Sequence, residues 1–183
     1  MKRLIPIACD HGGFAMKQYI IERLIENGYE VKDYGTFSEE SVDYPDYIHP
    51  LAQDIQDGVY PLGIILCGSG NGAQMTANKH PNVRAALCWN VELGRLARQH
   101  NDANILTLPG RFISNELGCI LIIVQMRYLA PFFCPTHMIK VRDAISAITS
   151  TASENTAMLA PKNATAYKAI SHTGSFLPFE SKK

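Results

Sequence analysis

Five short runs of β-branched and aliphatic residues, four of them followed by a stretch of helical period, fill positions 1–115, and this alternation restricts the possible folds most. LIPIA (4–8) reads as a buried strand that ends in Asp10-His11-Gly12-Gly13. Positions 14–26 then set Phe14, Tyr19, Ile20, Leu24 and Ile25 largely on one helical stripe, and Asn27-Gly28 stops the helix. YEVKDYG (29–35) is a second strand, 46–55 a helix just after Pro45, and LGIILC (62–67) a third strand running into GSGNG. A short helix over 73–79, a strand over 83–88, a helix over 91–99 and a strand over 103–108 complete the series. Such alternation predicts an α/β fold with a mostly parallel sheet covered on both faces. Ligands of these sheets gather at the carboxyl ends of the strands, which directs attention to 10–13 and 67–72.

Composition narrows the function classes. Seventeen basic and seventeen acidic residues cancel to a net charge of zero, with a pI near 7.0. Nucleic-acid binders and polybasic membrane-surface proteins need a positive excess, so neither class fits. Hydrophobic residues make up 46% of the 183 positions, enough for one core. The five cysteines (Cys9, Cys67, Cys88, Cys119, Cys134) form an odd set without a CxxC pair, which predicts reduced thiols in a cytoplasm. The apolar run at the start is broken by Pro6 and stops at Asp10, unlike a signal peptide. The longest apolar run, 119–124, is far below the roughly 20 residues that span a bilayer. A soluble, cytoplasmic protein is expected.

Beyond Asn115 the character changes. GCILIIVQMRYLAPFF is apolar with weak amphipathic order, and PTHMIKVRDAISAITS has the pattern of a last helix. From Thr151 the chain is rich in Ser, Thr, Ala and Asn without periodicity. The expected organisation is therefore a domain over 1–150 and a disordered or loosely attached tail over 151–183.

The segment CGSGNG (67–72) carries the strongest chemical signal. Its glycines let backbone N–H groups approach an anion closely, and the helix start beyond them adds partial positive charge. It is neither a Walker loop nor a dinucleotide GxGxxG. Cys67 stands at the strand end just before those donors, where a thiolate is favoured and can act as base or nucleophile. Packing as a small hydrophobe is the competing reading. Asp10 and His11 offer an acceptor beside a titratable donor, or simply a helix cap beside a surface histidine. His100-Asn101-Asp102 is a similar polar cluster that equally suits a plain turn. Tyr44, Arg84 and Arg111 are further candidates for holding a substrate. The six histidines are scattered without metal-ligand spacing.

Taken jointly, these pieces resemble the type B ribose-5-phosphate isomerase family, which also includes galactose-6-phosphate and allose-6-phosphate isomerases. The matching stretches are IACDHGGF (7–14), GYEVKDYGTFSEESVDYPDY (28–47), GIILCGSGNGAQMTANK (63–79), VRAALC (83–88) and ARQHNDANILTLPGRFI (97–113). The resemblance implies a three-layer α/β/α sandwich around a five-stranded, Rossmann-like parallel sheet. It also implies a homodimer, or a tetramer built from such dimers, whose active sites draw on two subunits. Cys67 would be the base that moves a proton between C1 and C2 of the open-chain sugar. Some members use a Glu six residues later, but this chain has Ala73 there, consistent with the cysteine type. The backbone of Gly68, Ser69, Gly70, Asn71 and Gly72 would bind the enediolate oxygens. His100 with Asp10 would assist ring opening, His11 and Arg111 would hold the phosphate, and Asn101 and Tyr44 the sugar. No cofactor or metal is implied, because the proton carriers and donors are protein groups.

The likeness stops near residue 117. Family members continue into a segment like PFEGGRHQRRV, whose first and last arginines grip the phosphate. The nearest stretch is PFFCPTHMIKV (131–141), which sets Thr136 and Lys140 at those two positions. Lys140 keeps a charge without the bidentate fork, and Thr136 keeps neither. Two explanations stand: a reading-frame change in the coding sequence near residue 118, or a true variant with altered phosphate recognition. Each charge-assisted contact is worth about 1.5–3 kcal/mol, so each one lost would weaken binding by about one to two decades. The leading expectation is ribose 5-phosphate isomerisation. A hexose 6-phosphate isomerase and a catalytically impaired sugar-phosphate-binding paralogue are the alternatives. A generic nucleotide-binding module is disfavoured, since the only acid between Ala86 and Asn101 is Glu92, within a helical stretch.

Overall fold

The computed structural model describes residues 4–127, and there the chain alternates as its sequence pattern predicts. The strands are β1 (Leu4–Cys9), β2 (Glu30–Asp33), β3 (Gly63–Cys67), β4 (Ala85–Leu87) and β5 (Ile105–Pro109). The helices are α1 (Phe14–Glu26), α2 (Tyr44–Gln56), α3 (Asn71–Ala77), α4 (Val91–Asn101) and α5 (Asn115–Arg127). All strand pairs are parallel, in the order β2-β1-β3-β5-β4. The α/β class and the five-stranded parallel sheet are as expected.

Both faces of the sheet are covered, for a reason visible in β3. Leu62, Ile64 and Leu66 point to one side and join Met16, Ile20 and Leu24 of α1 with Leu121 and Ile122 of α5. Ile65 and Cys67 point to the other, where Ile48, Leu51, Ala52 and Ile55 of α2 and Ala73 and Ala77 of α3 close over them. Alternate strand residues thus serve two separate cores. The chain leaves β1 toward β2 on one side and returns to β3 on the other. The gap between the ends of β1 and β3 is therefore the topological switch point of the sheet.

Several element boundaries differ from the sequence reading by one or two residues, and three of the helix ends have a visible cause. Helix α2 begins at Tyr44, two residues early, because Pro45 fits a first helical turn where its missing N–H costs nothing. Pro50 is then accommodated inside the same helix, on its exposed side. Helix α3 begins at Asn71, inside the glycine-rich segment, because Gly70 adopts a left-handed φ of 80° and turns the chain directly into helix. Helix α4 continues through His100 and Asn101, with Asp102 as the left-handed cap. The apolar stretch after Asn115 is a packed helix as far as residue 127, with Ile120, Leu121, Ile122, Val124 and Met126 buried. Gly94 of α4 makes room for it, since a β-carbon there would lie 2.9 Å from Leu121 Cδ2. Thr136, Lys140, the helix expected from Pro135 onward and the tail over 151–183 lie outside the described residues.

Candidate active site

The site is built where β1 and β3 end side by side. Cys9 pairs with Leu66 in the parallel register, so the next step brings Asp10 beside Cys67. Asp10 is buried at 5 % exposure and caps the short turn His11–Gly13, its Oδ1 accepting from Gly13 N at 3.0 Å. Its carboxylate is near enough to the Cys67 thiol to disfavour the thiolate. Three turns close on one another here at backbone contact. A β-carbon on Gly12 would meet Gly68 Cα and N at 2.9 Å, and one on Gly13 would meet Leu66 Cβ at 2.7 Å. From the third side Gly110 N donates to Cys67 O at 2.9 Å and Arg111 N to Gly68 O at 3.1 Å.

Other predicted residues join this edge. The Arg111 side chain runs along Gly68, its Nε 3.4 Å from where a β-carbon would stand. The Tyr44 ring lies against Gly72, with Cζ 2.7 Å from that glycine's would-be β-carbon. Ser69 Oγ accepts from Asn71 N at 3.4 Å and is otherwise exposed. Val42 N donates to His11 Nδ1 at 3.3 Å. With Nδ1 accepting, a neutral His11 carries its proton on Nε2, which remains a donor for an anion. The thiol of Cys67 is held above its ordinary 9.0, first by burial and then by the Asp10 carboxylate. The amides of Gly70 and Ser69 pull in the opposite direction by favouring thiolate.

This arrangement, a buried thiol and carboxylate beside a bowl of main-chain amides at a switch point, suits proton transfer with stabilisation of a developing oxyanion. Residues 5–126 match the family described as Ribose/Galactose Isomerase. The chain belongs to the Ribose/Galactose Isomerase family. Among curated relatives of this family, ribose-5-phosphate isomerase B of Escherichia coli is 40% identical over 118 residues, covering 64% of this chain and 79% of the relative. Ribose-5-phosphate isomerase B of Mycolicibacterium paratuberculosis is 43% identical over 108 residues, 58% of this chain and 68% of the relative. The ribose 5-phosphate isomerase of Thermotoga maritima superposes with a TM-score of 0.67 at 42% identity, covering 79% of this chain and 98% of that one. Ribose-5-phosphate isomerase B of Mycoplasma genitalium with bound ribulose-5-phosphate gives 0.65 at 32% identity, covering 81% and 98%.

Two predicted residues are absent from the edge that places Cys67 in this Ribose/Galactose Isomerase chain. His100 and Asn101 end α4 on the exposed surface, just ahead of β5. Asn104 O accepts from Gly63 N, so this turn sits at the start of β3, four residues before Cys67. At a rise of roughly 3.3 Å per residue the two edges are about 13 Å apart. Among the described residues no group of three or more His, Cys, Asp or Glu could hold a metal ion. No described helix is long and apolar enough to cross a membrane. Cys9, Cys67, Cys88 and Cys119 are all free thiols.

Sequence reasoning missed Gly110 and Thr107. Gly110 packs with its would-be β-carbon 3.1 Å from both Gly12 O and Gly13 Cα, and its place after a strand-ending proline was the available clue. Thr107 is fully buried below Gly70 with its hydroxyl unpartnered, and nothing in a β-strand of aliphatic residues singles it out.

Proposed function

We propose that this aldose–ketose isomerase interconverts ribose 5-phosphate and ribulose 5-phosphate through an enediolate, with Cys67 as the base. The single observation that carries the reading is the Cys67 thiol beside Asp10 and the amides of Ser69 and Gly70 at the switch point. The thiolate takes the proton from C2 of the open-chain aldose and returns it to C1, so the sulfur ends the cycle as it began. The electron pair freed at C2 shifts onto the C1 carbonyl oxygen, which the amides between Gly68 and Gly72 receive. As C1 takes its proton back, the C2 hydroxyl proton passes to that oxygen, leaving the carbonyl at C2. Because burial favours the neutral thiol, only a minor thiolate fraction does this work at neutral pH, and the fixed amides are what favour it. Ala73 is buried and apolar where a carboxylate base would otherwise stand, which supports sulfur in that role.

His11 and Arg111 would hold the phosphate and Tyr44 the sugar. His100 and Asn101 stand at the far edge of their own sheet, which supports a homodimer in which they serve the site of a second copy, His100 assisting Asp10 in ring opening. The family description covers galactose as well, so a hexose 6-phosphate remains the second reading. A coupled assay offers ribose 5-phosphate, galactose 6-phosphate and allose 6-phosphate to the protein and to Cys67→Ala. The expected result is turnover of the pentose that is lost in the variant while its circular dichroism is unchanged. Near-normal turnover by folded Cys67→Ala would remove the cysteine, and turnover of a hexose phosphate alone would replace the substrate.

A further inference from the structure

Lys17 lies in the first turn of α1 with 0 % exposure, a rare setting for an ammonium group. Its three N–H donors meet three acceptors: Asp33 Oδ1 at 2.6 Å, Asp33 Oδ2 at 2.7 Å and Thr36 O at 2.7 Å. The rings of Phe14 and Phe37 flank it at 5.7 and 5.2 Å. With every donor used, the group has nothing left for a substrate. Its partners, however, begin the segment that leads to the site. Asp33 Oδ1 also accepts from Gly35 N at 2.8 Å, and residues 34–36 continue the pairing along β1. Tyr34 N donates to Ile7 O at 2.9 Å, Cys9 N to Gly35 O at 2.6 Å and Thr36 N to Cys9 O at 2.7 Å, which ends one residue short of Asp10. The same segment then supplies Val42 N to His11 Nδ1, and α2 opens with Tyr44 against Gly72.

We infer that Lys17, through its ion pair with Asp33 and its bond to Thr36, is a positioning residue that fixes segment 33–44 and thereby sets His11 and Tyr44 over the site. A buried ion pair is weak evidence for stability, because well-packed apolar residues often replace such a pair at no loss. What it supplies here is one defined path for a connection that contains little regular structure between Asp33 and Tyr44. The kinetic consequence rests on the isomerase reading, whereas the ordering of the segment does not.

The test compares Lys17→Met and Asp33→Asn with the unaltered full-length protein by steady-state kinetics on ribose 5-phosphate and by amide hydrogen exchange. In Lys17→Met, KM should rise about tenfold to a hundredfold, the scale set by small misplacements of binding groups, with kcat changing far less. Exchange should accelerate over 34–43 and stay unchanged in β3 and β5. Asp33→Asn should move both readouts the same way by a smaller factor, since its amide oxygen still accepts. A folded Lys17→Met protein with unaltered KM and unaltered exchange over 34–43, merely melting earlier, would overturn the inference. If Lys17→Met does not fold, Asp33→Asn decides by the same two readouts. If the unaltered protein does not turn over the sugar, the isomerase reading fails and exchange over 34–43 alone decides the positioning role.

Discussion

Burial and then the neighbouring Asp10 carboxylate keep the proton on the Cys67 sulfur, while the backbone amides of Gly70 and Ser69 favour its release. At a fixed burial, the balance between the carboxylate and the amides sets how much thiolate exists at a given pH. Replacing Asp10 by Asn removes the negative charge that opposes ionisation, so the thiol should ionise at lower pH. The rate of iodoacetamide alkylation at Cys67, followed by mass spectrometry across pH 6–10, should rise earlier in Asp10→Asn than in the unaltered protein. An identical or later profile would contradict the contact between the two groups.

Gly70 is needed for two separate reasons. Its φ of 80° is in the left-handed region, where a side chain costs about 1–2 kcal/mol. A β-carbon there would also collide with Leu87 Cδ1, and crowding of that kind costs about 1–3 kcal/mol. Gly58 shares the positive φ, 73°, but has nothing within 4 Å of its would-be β-carbon. Gly70→Ala should therefore lower the denaturation midpoint clearly more than Gly58→Ala, and it should also displace the amides that face Cys67 and cut kcat. Gly58→Ala should keep full activity. Equal losses in the two variants would show that the contact with Leu87 yields freely.

Why these elements were legible in the sequence, and others not, follows from what each residue signals locally. Runs such as LIPIA and LGIILC announce buried strands because both faces of the sheet are covered, and their glycine-rich exits announce the site. Helix α5 was illegible as a helix because it is apolar nearly all round, packing against α1, α4 and β5 at once, so no polar stripe marks its period. Lys17 looks like an ordinary solvated lysine until Asp33 is brought to it by β2, sixteen residues on. His100 reads as part of a turn because the residues that cap α4 resemble loop residues, and only the completed sheet shows which edge it occupies.

Buried thiols should make the protein sensitive to alkali. Cys88 is almost fully enclosed, and burial pushes its thiol up to about 11 from an ordinary 9.0. Cys9 is pushed to about 12 by the same cause, offset in part by the nearby Lys17 charge. In the unfolded chain each thiol reverts to its ordinary value and loses its proton first as pH rises above 9.0. The unfolded state is thereby favoured, and the penalty grows until the folded thiol also ionises. For Cys88 alone the loss between 9.0 and about 11 is about 2–3 kcal/mol. Lysine and tyrosine titrate in the same range, so the decisive quantity is a difference. Urea midpoints measured from pH 8 to 10.5 should fall less steeply for Cys88→Ala than for the unaltered protein. Parallel curves would mean that Cys88 reaches water in the folded state.

His100 and Cys67 lie toward opposite ends of the strands of one sheet, and the proposed sharing of a site between two copies would resolve that separation in a way that mixing experiments can read. In a two-fold dimer each site would take Cys67 from one protomer and His100 from its partner. Cys67→Ala and His100→Ala should each be nearly inactive as homodimers. A mixed dimer of the two holds one site with both changes and one with neither. Random exchange of equal amounts makes half the dimers mixed, so about a quarter of the native sites return. Activity regained on denaturing and refolding the two together, but not on refolding either alone, would place the residues in separate subunits. No recovery, with mixed dimers verified by mass, would mean that His100 serves no site of a partner.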